Sequence, residues 1–114
     1  MIPKTNNVYG QIVAPDGLRP VLAAVEELLG PGCASLFRSR TSNASETLRI
    51  RTDAADLESL PLPGGIEHLL NGAVGGSANE VDAFVRALSA ALTEAKVQHS
   101  FEVHDGRGVV LSLP

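Results

Sequence analysis

Sulfur and aromatic rings are scarce in this sequence of 114 residues. It contains one cysteine, Cys33, one methionine, no tryptophan, one tyrosine and three phenylalanines. A single cysteine cannot close a disulfide within the chain or supply several thiolates to a zinc ion, so a disulfide-stapled secreted domain is excluded. Reduced cysteine is typical of the cytoplasm, and we expect the protein to be cytoplasmic.

Long hydrophobic runs are also missing. No stretch approaches the roughly 20 consecutive apolar residues that a membrane-spanning helix needs. The first seven residues, Met-Ile-Pro-Lys-Thr-Asn-Asn, lack the apolar run of a secretory signal. The sequence therefore predicts no membrane partner.

Basic residues are also fewer than acidic residues. Nine Lys and Arg residues against thirteen Asp and Glu residues give a formal net charge of -4, and the pI is near 5.2. This is the wrong sign for a protein whose main partner is a phosphate backbone, and few aromatic rings are present to stack on bases. We predict no nucleic-acid partner.

Apolar residues are plentiful by comparison, at 44% against 19% charged. A chain of this length and composition can bury one proper core, so we predict a single domain over residues 1–114. Alternation in the apolar pattern indicates strands, and spacings of three and four indicate helices. The predicted elements are strand 6–14, helix 18–29, strands 34–41 and 46–53, a short helix at 66–70, helix 77–95, and strands 97–104 and 109–113.

Local signals refine several of these elements. Ser77 with Glu80 is the pattern of a capping box, and Asp16 can cap the first helix. In the first predicted hairpin, Phe37, Leu48 and Ile50 are the candidate core residues. The short helix would be closed by Asn71 and Gly72.

The predicted order is β-α-β-β-(short α)-α-β-β. Each helix carries one apolar stripe and most strands are apolar on one side. We therefore predict an α+β two-layer sandwich, with two helices on one face of an antiparallel or mixed sheet. The order fits a ferredoxin-like arrangement with an added C-terminal strand.

Four of the nine basic residues lie in the first predicted hairpin: Arg38, Arg40, Arg49 and Arg51. With the turn centred on residues 44 and 45, Arg40 opposes Arg49 and Arg38 opposes Arg51, which places all four on one face. Like charges that face one another need a counter-charge. Two interpretations stay open: a solvated face balanced by the chain's own carboxylates, or a binding surface for an anion or an acidic partner.

Other candidate groups are weaker. The glycine-rich segment 72–76 precedes a predicted helix N-terminus but lacks a GxGxxG or Gly-Lys-Ser/Thr motif, so a linker is the simpler interpretation. His68, His99 and His104 show no metal-ligand spacing. Glu102 and His104 are the one local acid/base couple. We predict no metal and no cofactor.

The sequence favours a small cytoplasmic protein-interaction module of regulatory, adaptor or inhibitor type, without enzymatic activity. The expected partner is another protein, and the uncharged strand 109–113 predicts a homodimer through edge pairing. The alternative is a domain that binds or converts an anionic small molecule with the four arginines and the 72–76 loop. A pocket that joins the arginines to Glu102 or His104 would favour this alternative, and a flat exposed face would favour docking.

Overall fold

The computed structural model describes residues 7–38, 46–105 and 108–113, which form one antiparallel sheet and two helices. In chain order the elements are β1 (Asn7–Val13), α1 (Arg19–Leu29), β2 (Ala34–Arg38), β3 (Glu46–Arg51), β4 (Ala55–Pro61), β5 (Glu67–Val74), α2 (Ala78–Glu94), β6 (Gln98–Asp105) and β7 (Gly108–Leu113). The seven described strands are ordered β2-β3-β4-β5-β1-β6-β7. The predicted α+β class is confirmed.

The strand directions fix the relation between the two helices. Every neighbouring pair of strands is antiparallel, so β1 runs parallel to β2, and β5 runs parallel to β6. Each helix connects one of these parallel pairs and therefore runs opposite to the strand before it. Since β1 and β5 are themselves antiparallel, α1 and α2 are antiparallel, and they contact one another on one face of the sheet.

The ferredoxin-like topology is not matched. In that arrangement the strands joined by a helix are separated by one strand, as β5 and β6 are here by β1. The β1-α1-β2 connection instead crosses three strands, because β2 to β5 form a continuous meander that returns the chain to β1. Four consecutive strands between the helices leave no room for the predicted short helix.

Alternation along β1 shows how the sheet builds the core. Val8 and Ile12 are fully buried under the helices, whereas Tyr9 on the opposite face is 47% exposed. Both helices contribute to the same cluster through their apolar stripes. The largest fully buried side chains are Phe101, Ile12, Leu18, Leu48, Ile50, Leu57, Leu70, Leu88, Leu92, Val8, Val21 and Val25.

The predicted caps differ in outcome. The capping box of α2 is confirmed, because the Ser77 hydroxyl accepts from the Glu80 amide at 3.2 Å and the Glu80 carboxylate accepts from the Ser77 amide at 2.9 Å. The Asp16 cap is wrong: Leu18 precedes α1, and no side-chain hydrogen bond caps that end. Leu18 is buried in the core, which anchors the start of α1 by packing instead.

The helix predicted at 66–70 is wrong, because residues 67–70 form the first half of β5. Its partner β4 alternates between buried Ala55, Leu57 and Ser59 and outward Asp56 and Glu58. In β5 the inward positions include His68 and Gly72, which are not aliphatic. These two residues hide the period of two that a strand with one buried face normally shows.

The first hairpin is confirmed, but its predicted register is wrong. Arg38 pairs with Glu46 and Ser35 pairs with Arg49, so neither Arg38 with Arg51 nor Arg40 with Arg49 is a cross-strand pair. Phe37 is also not a core residue. It is 42% exposed, on the face of the sheet away from the helices, opposite Thr47.

Candidate functional site

In the described part of the chain both helices lie on one face of the sheet, and we call the opposite face the outer face. Four large apolar side chains on it are 42–58% exposed, and they are spread over four strands: Tyr9, Phe37, Leu60 and Val109. Their exposure was not predicted from the sequence. For Tyr9, Phe37 and Leu60 the signal is parity, since each alternates with residues of its own strand that face the core. Val109 has the same parity as the core-packed Leu111 and Leu113, and it reaches the outer face because a β-bulge interrupts the ladder between them.

Two of the four predicted arginines come together on the outer face. Arg49 and Arg51 alternate with buried Ile50 on β3. The Arg49 guanidinium contacts both carboxylate oxygens of Asp56 on β4, Nε to Oδ1 at 3.3 Å and Nη2 to Oδ2 at 3.2 Å. The Arg51 Nε atom lies 3.8 Å from the same Oδ2. Hydrogen bonding to Asp56, followed by the charge of Asp56 and that of Glu58, raises the pKa of Arg49.

The prediction that the arginines share one face is wrong for Arg38, because alternation along β2 places position 38 on the same face as Ala34 and Leu36, toward the helices. The backbone of Arg38 pairs with Glu46 at the far end of the hairpin, and Arg40 lies outside the described residues. The role of all four as a binding surface stays a prediction. What is established is a pair of guanidinium groups that share the Asp56 carboxylate.

A small depression adjoins this pair. Its volume is about 230 Å³, and it is lined by Gly32, Cys33, Ala34, Ser35, Arg49 and Arg51. Pockets that enclose small-molecule ligands usually measure about 300 to 1,000 Å³. The depression is therefore suited to one side chain or one small charged group.

The alternative function needs groups that the sheet order keeps apart. Glu102 and His104 are hydrogen-bonded at 3.1 Å, but they lie on β6, four strand spacings from β3. At about 4.8 Å per spacing, roughly 19 Å separates them from the arginines. The pocket that would join these groups is therefore excluded by the strand order.

The 72–76 segment is held by contacts within the fold. Gly72 belongs to β5, and the Gly75 amide donates to the Ala54 carbonyl at 2.7 Å. The Glu80 carboxylate already lies at the N-terminus of α2, where its bonds with Ser77 lower the pKa of Glu80. A bound anion would have to displace this carboxylate.

Ser89 and His99 form a pair that resembles a nucleophile and its base. The Ser89 hydroxyl lies 2.7 Å from His99 Nε2, and His99 Nδ1 lies 2.8 Å from the Val97 carbonyl. Ser89 is in the interior of α2, where backbone amides are used in helical bonds and cannot stabilise an oxyanion. We interpret the pair as the hydrogen bonding that lets a half-buried histidine pack under α2.

His68 is the buried polar side chain that lacks such bonding. It is 5% exposed, and its Nδ1 atom has no hydrogen-bond partner among the described residues. Burial lowers the pKa of His68, and the nearby charge of Glu46 opposes this shift. The neutral imidazole is therefore the form that the fold accommodates.

This burial predicts a pH dependence of stability. The unfolded chain binds the His68 proton more tightly, since its pKa there is about 6.5. The stability that neutral His68 contributes to the fold is thus fully present above about pH 6.5. It is lost as the pH falls toward the lower pKa that His68 has in the folded state. In urea denaturation, wild type should lose more stability between about pH 7 and about pH 5.5 than His68→Leu does. Equal losses would contradict the assignment.

Three further observations concern membrane helices, metal sites and similarity to known proteins. Neither α1 nor α2 is both long and apolar enough to cross a membrane. Within residues 7–38, 46–105 and 108–113, no group of three or more His, Cys, Asp or Glu side chains is placed to hold a metal ion. Comparison of the chain with protein-family models, with curated proteins and with solved structures returns no match.

Proposed function

We propose that this chain is a protein-interaction module without catalytic activity, of regulatory, adaptor or inhibitor type. The observation that supports it is the outer face: the face of the seven described strands that lies away from α1 and α2, with Tyr9, Phe37, Leu60 and Val109 exposed on it. Tyrosine, phenylalanine and arginine are enriched at protein interfaces relative to the rest of the surface. The small volume beside Arg49 and Arg51 favours docking over enclosure of a small molecule.

Site-specific photocrosslinking in the native host tests this function. A photoreactive phenylalanine analogue replaces Tyr9 or Leu60 on the outer face, and Ala90 on the exposed side of α2 is the matched control. We expect the same partner protein, identified by mass spectrometry, to crosslink at both outer-face positions and not at Ala90. Absence of a shared partner at the two outer-face positions would contradict the proposed function.

Self-association through β7 is a separate prediction. In the described part of the chain β7 pairs with β6 alone, and no residue of Gly108–Leu113 is charged. A β-bulge opposite Val103 and His104 interrupts the ladder, so the straight segment available for pairing is 111–113. We expect a two-fold dimer at high micromolar concentration, measured by sedimentation or light scattering.

Lysine on an edge strand opposes strand pairing, which gives a matched control for this dimer. Ser112→Lys on β7 should shift the protein to monomer, whereas Ser35→Lys on β2, at the other end of the sheet, should leave the dimer intact. A monomeric wild type, or a dimer that survives Ser112→Lys, would contradict pairing through β7.

A further inference from the structure

The backbone of β2 offers unpaired hydrogen-bonding groups. Among the described strands β2 pairs only with β3, and the Cys33 carbonyl accepts from the Arg51 amide at 2.7 Å. In an antiparallel ladder alternate residues point their amide and carbonyl groups to opposite sides. Ala34 and Leu36 therefore direct these groups away from β3, where an added strand can pair with them.

Charge along this edge is positive. Residues 30–38, the part of the chain at this edge that the structure describes, contain Arg38 and no Asp, Glu or Lys, which gives a formal charge of +1 within a chain of -4. Two carboxylates of β4 act on the Arg49 guanidinium: Asp56, which it contacts, and Glu58, its cross-strand partner. Both lie on the β4 side of Arg49 and Arg51, away from β2. The β2 side of the guanidinium pair is thus the side that favours an incoming carboxylate.

The side chains at this edge leave a path to the arginines. The depression beside Arg49 and Arg51 is closed on the edge side only by small residues: Gly32, Cys33, Ala34 and Ser35. Two positions farther along β2, Phe37 is 42% exposed on the same outer face. A charged subsite and an apolar subsite therefore lie two residues apart along one strand.

We propose that the β2 edge binds an extended acidic segment of a partner protein, which pairs with β2 as an added strand. A carboxylate of that segment enters the depression and binds Arg49 and Arg51. The side chain two residues away along the segment is apolar and packs on Phe37. This assignment rests on the proposed docking function and adds the chemistry of the partner: an acidic residue and an apolar residue with one residue between them.

Binding of a defined peptide tests the assignment. The probe is a fluorescent, capped, threonine-rich peptide of about ten residues with one Glu and one Leu separated by a single residue. Fluorescence anisotropy should show saturable binding. We expect the affinity to fall at least about tenfold when Lys replaces the Glu, and when alternate backbone amides that face β2 are N-methylated. Lysine removes the charge contact, and N-methylation removes the strand pairing.

Protein variants locate the site. The double variant Arg49→Gln, Arg51→Gln should weaken binding at least about tenfold, while Arg86→Gln, the matched control on α2, should bind as wild type does. Arg86 is also an exposed arginine paired with an aspartate, Asp82, at 3.0 Å. Exposed ion pairs contribute little stability, so a thermal melt should show both variants folded.

Each contrary result is decisive. No saturable binding up to about 1 mM peptide overturns the assignment, as does binding that tolerates N-methylation or the double variant. The two peptide changes keep the assignment testable even where the double variant fails to fold. A shared crosslinked partner at Tyr9 and Leu60 without peptide binding removes only the β2 assignment, whereas absence of that partner removes the docking function itself.

Discussion

Replacement of Leu88 by alanine should lower the free energy of unfolding by about 2 to 5 kcal/mol. Leu88 lies at the middle of the buried face of α2 and is fully buried in the core between the helices and the sheet. Truncation removes buried methyl groups and leaves a cavity, because α2 is held by the strands and by α1 and cannot collapse into the space. Urea denaturation measures the loss.

Leu22→Ala on α1 is the matched control. Leu22 packs against the core but is only partly buried, so its truncation should cost clearly less than that of Leu88. A loss below about 1 kcal/mol at Leu88 would mean that the buried face of α2 is wrongly assigned. A larger loss at Leu22 than at Leu88 would mean that the buried faces of both helices are wrongly assigned.

The helices were predictable because their signals are local. The capping box of Ser77 and Glu80 fixes where α2 begins, and apolar residues at spacings of three and four fix which face it buries. Pro20 in the first turn of α1 and Gly30 after its last residue mark the limits of that helix in the same way. Such signals act within one or two turns and need no knowledge of the rest of the fold.

The centre of the sheet was not predictable because its pattern depends on other strands. Ser59 occupies an inward position of β4, where its hydroxyl accepts from the Leu48 amide of β3 at 2.7 Å. Gly72 occupies an inward position of β5 because a Cβ atom there would meet the backbone of β4. A polar or small residue that is satisfied by a distant strand looks, in sequence, like a break in the apolar pattern.

The candidate site was predictable in composition but not in register. The concentration of arginine in one hairpin is visible in the sequence, and two of these residues do lie together on the outer face. Which arginines face one another depends on how the two strands align, and a shift in that alignment changes every pair. The carboxylate that binds both, Asp56, belongs to β4, which was not predicted as a strand.

Substitution of Gly72 is expected to cause the second large loss of stability, because any side chain at this position would collide with the backbone of β4. A Cβ atom there would overlap the Asp56 carbonyl oxygen and lie 2.7 Å from the Leu57 Cα atom. Gly72 pairs with Leu57 on one side and with Val8 on the other, so β5 is held between β4 and β1. Neither neighbour can move without breaking a ladder of the central sheet.

We therefore expect Gly72→Ala to lower the free energy of unfolding by about 3 kcal/mol, the upper end for an overpacked core, as measured by urea denaturation. The control is Ala73→Ser, the next residue of β5, which is partly exposed and should change stability by less than about 0.5 kcal/mol. The helical interpretation of this segment predicts a smaller loss, because alanine at the left-handed position that ends a helix costs about 1 to 2 kcal/mol. A loss near that smaller value would show that β4 and β5 do not approach each other as closely at Gly72 as this sheet requires.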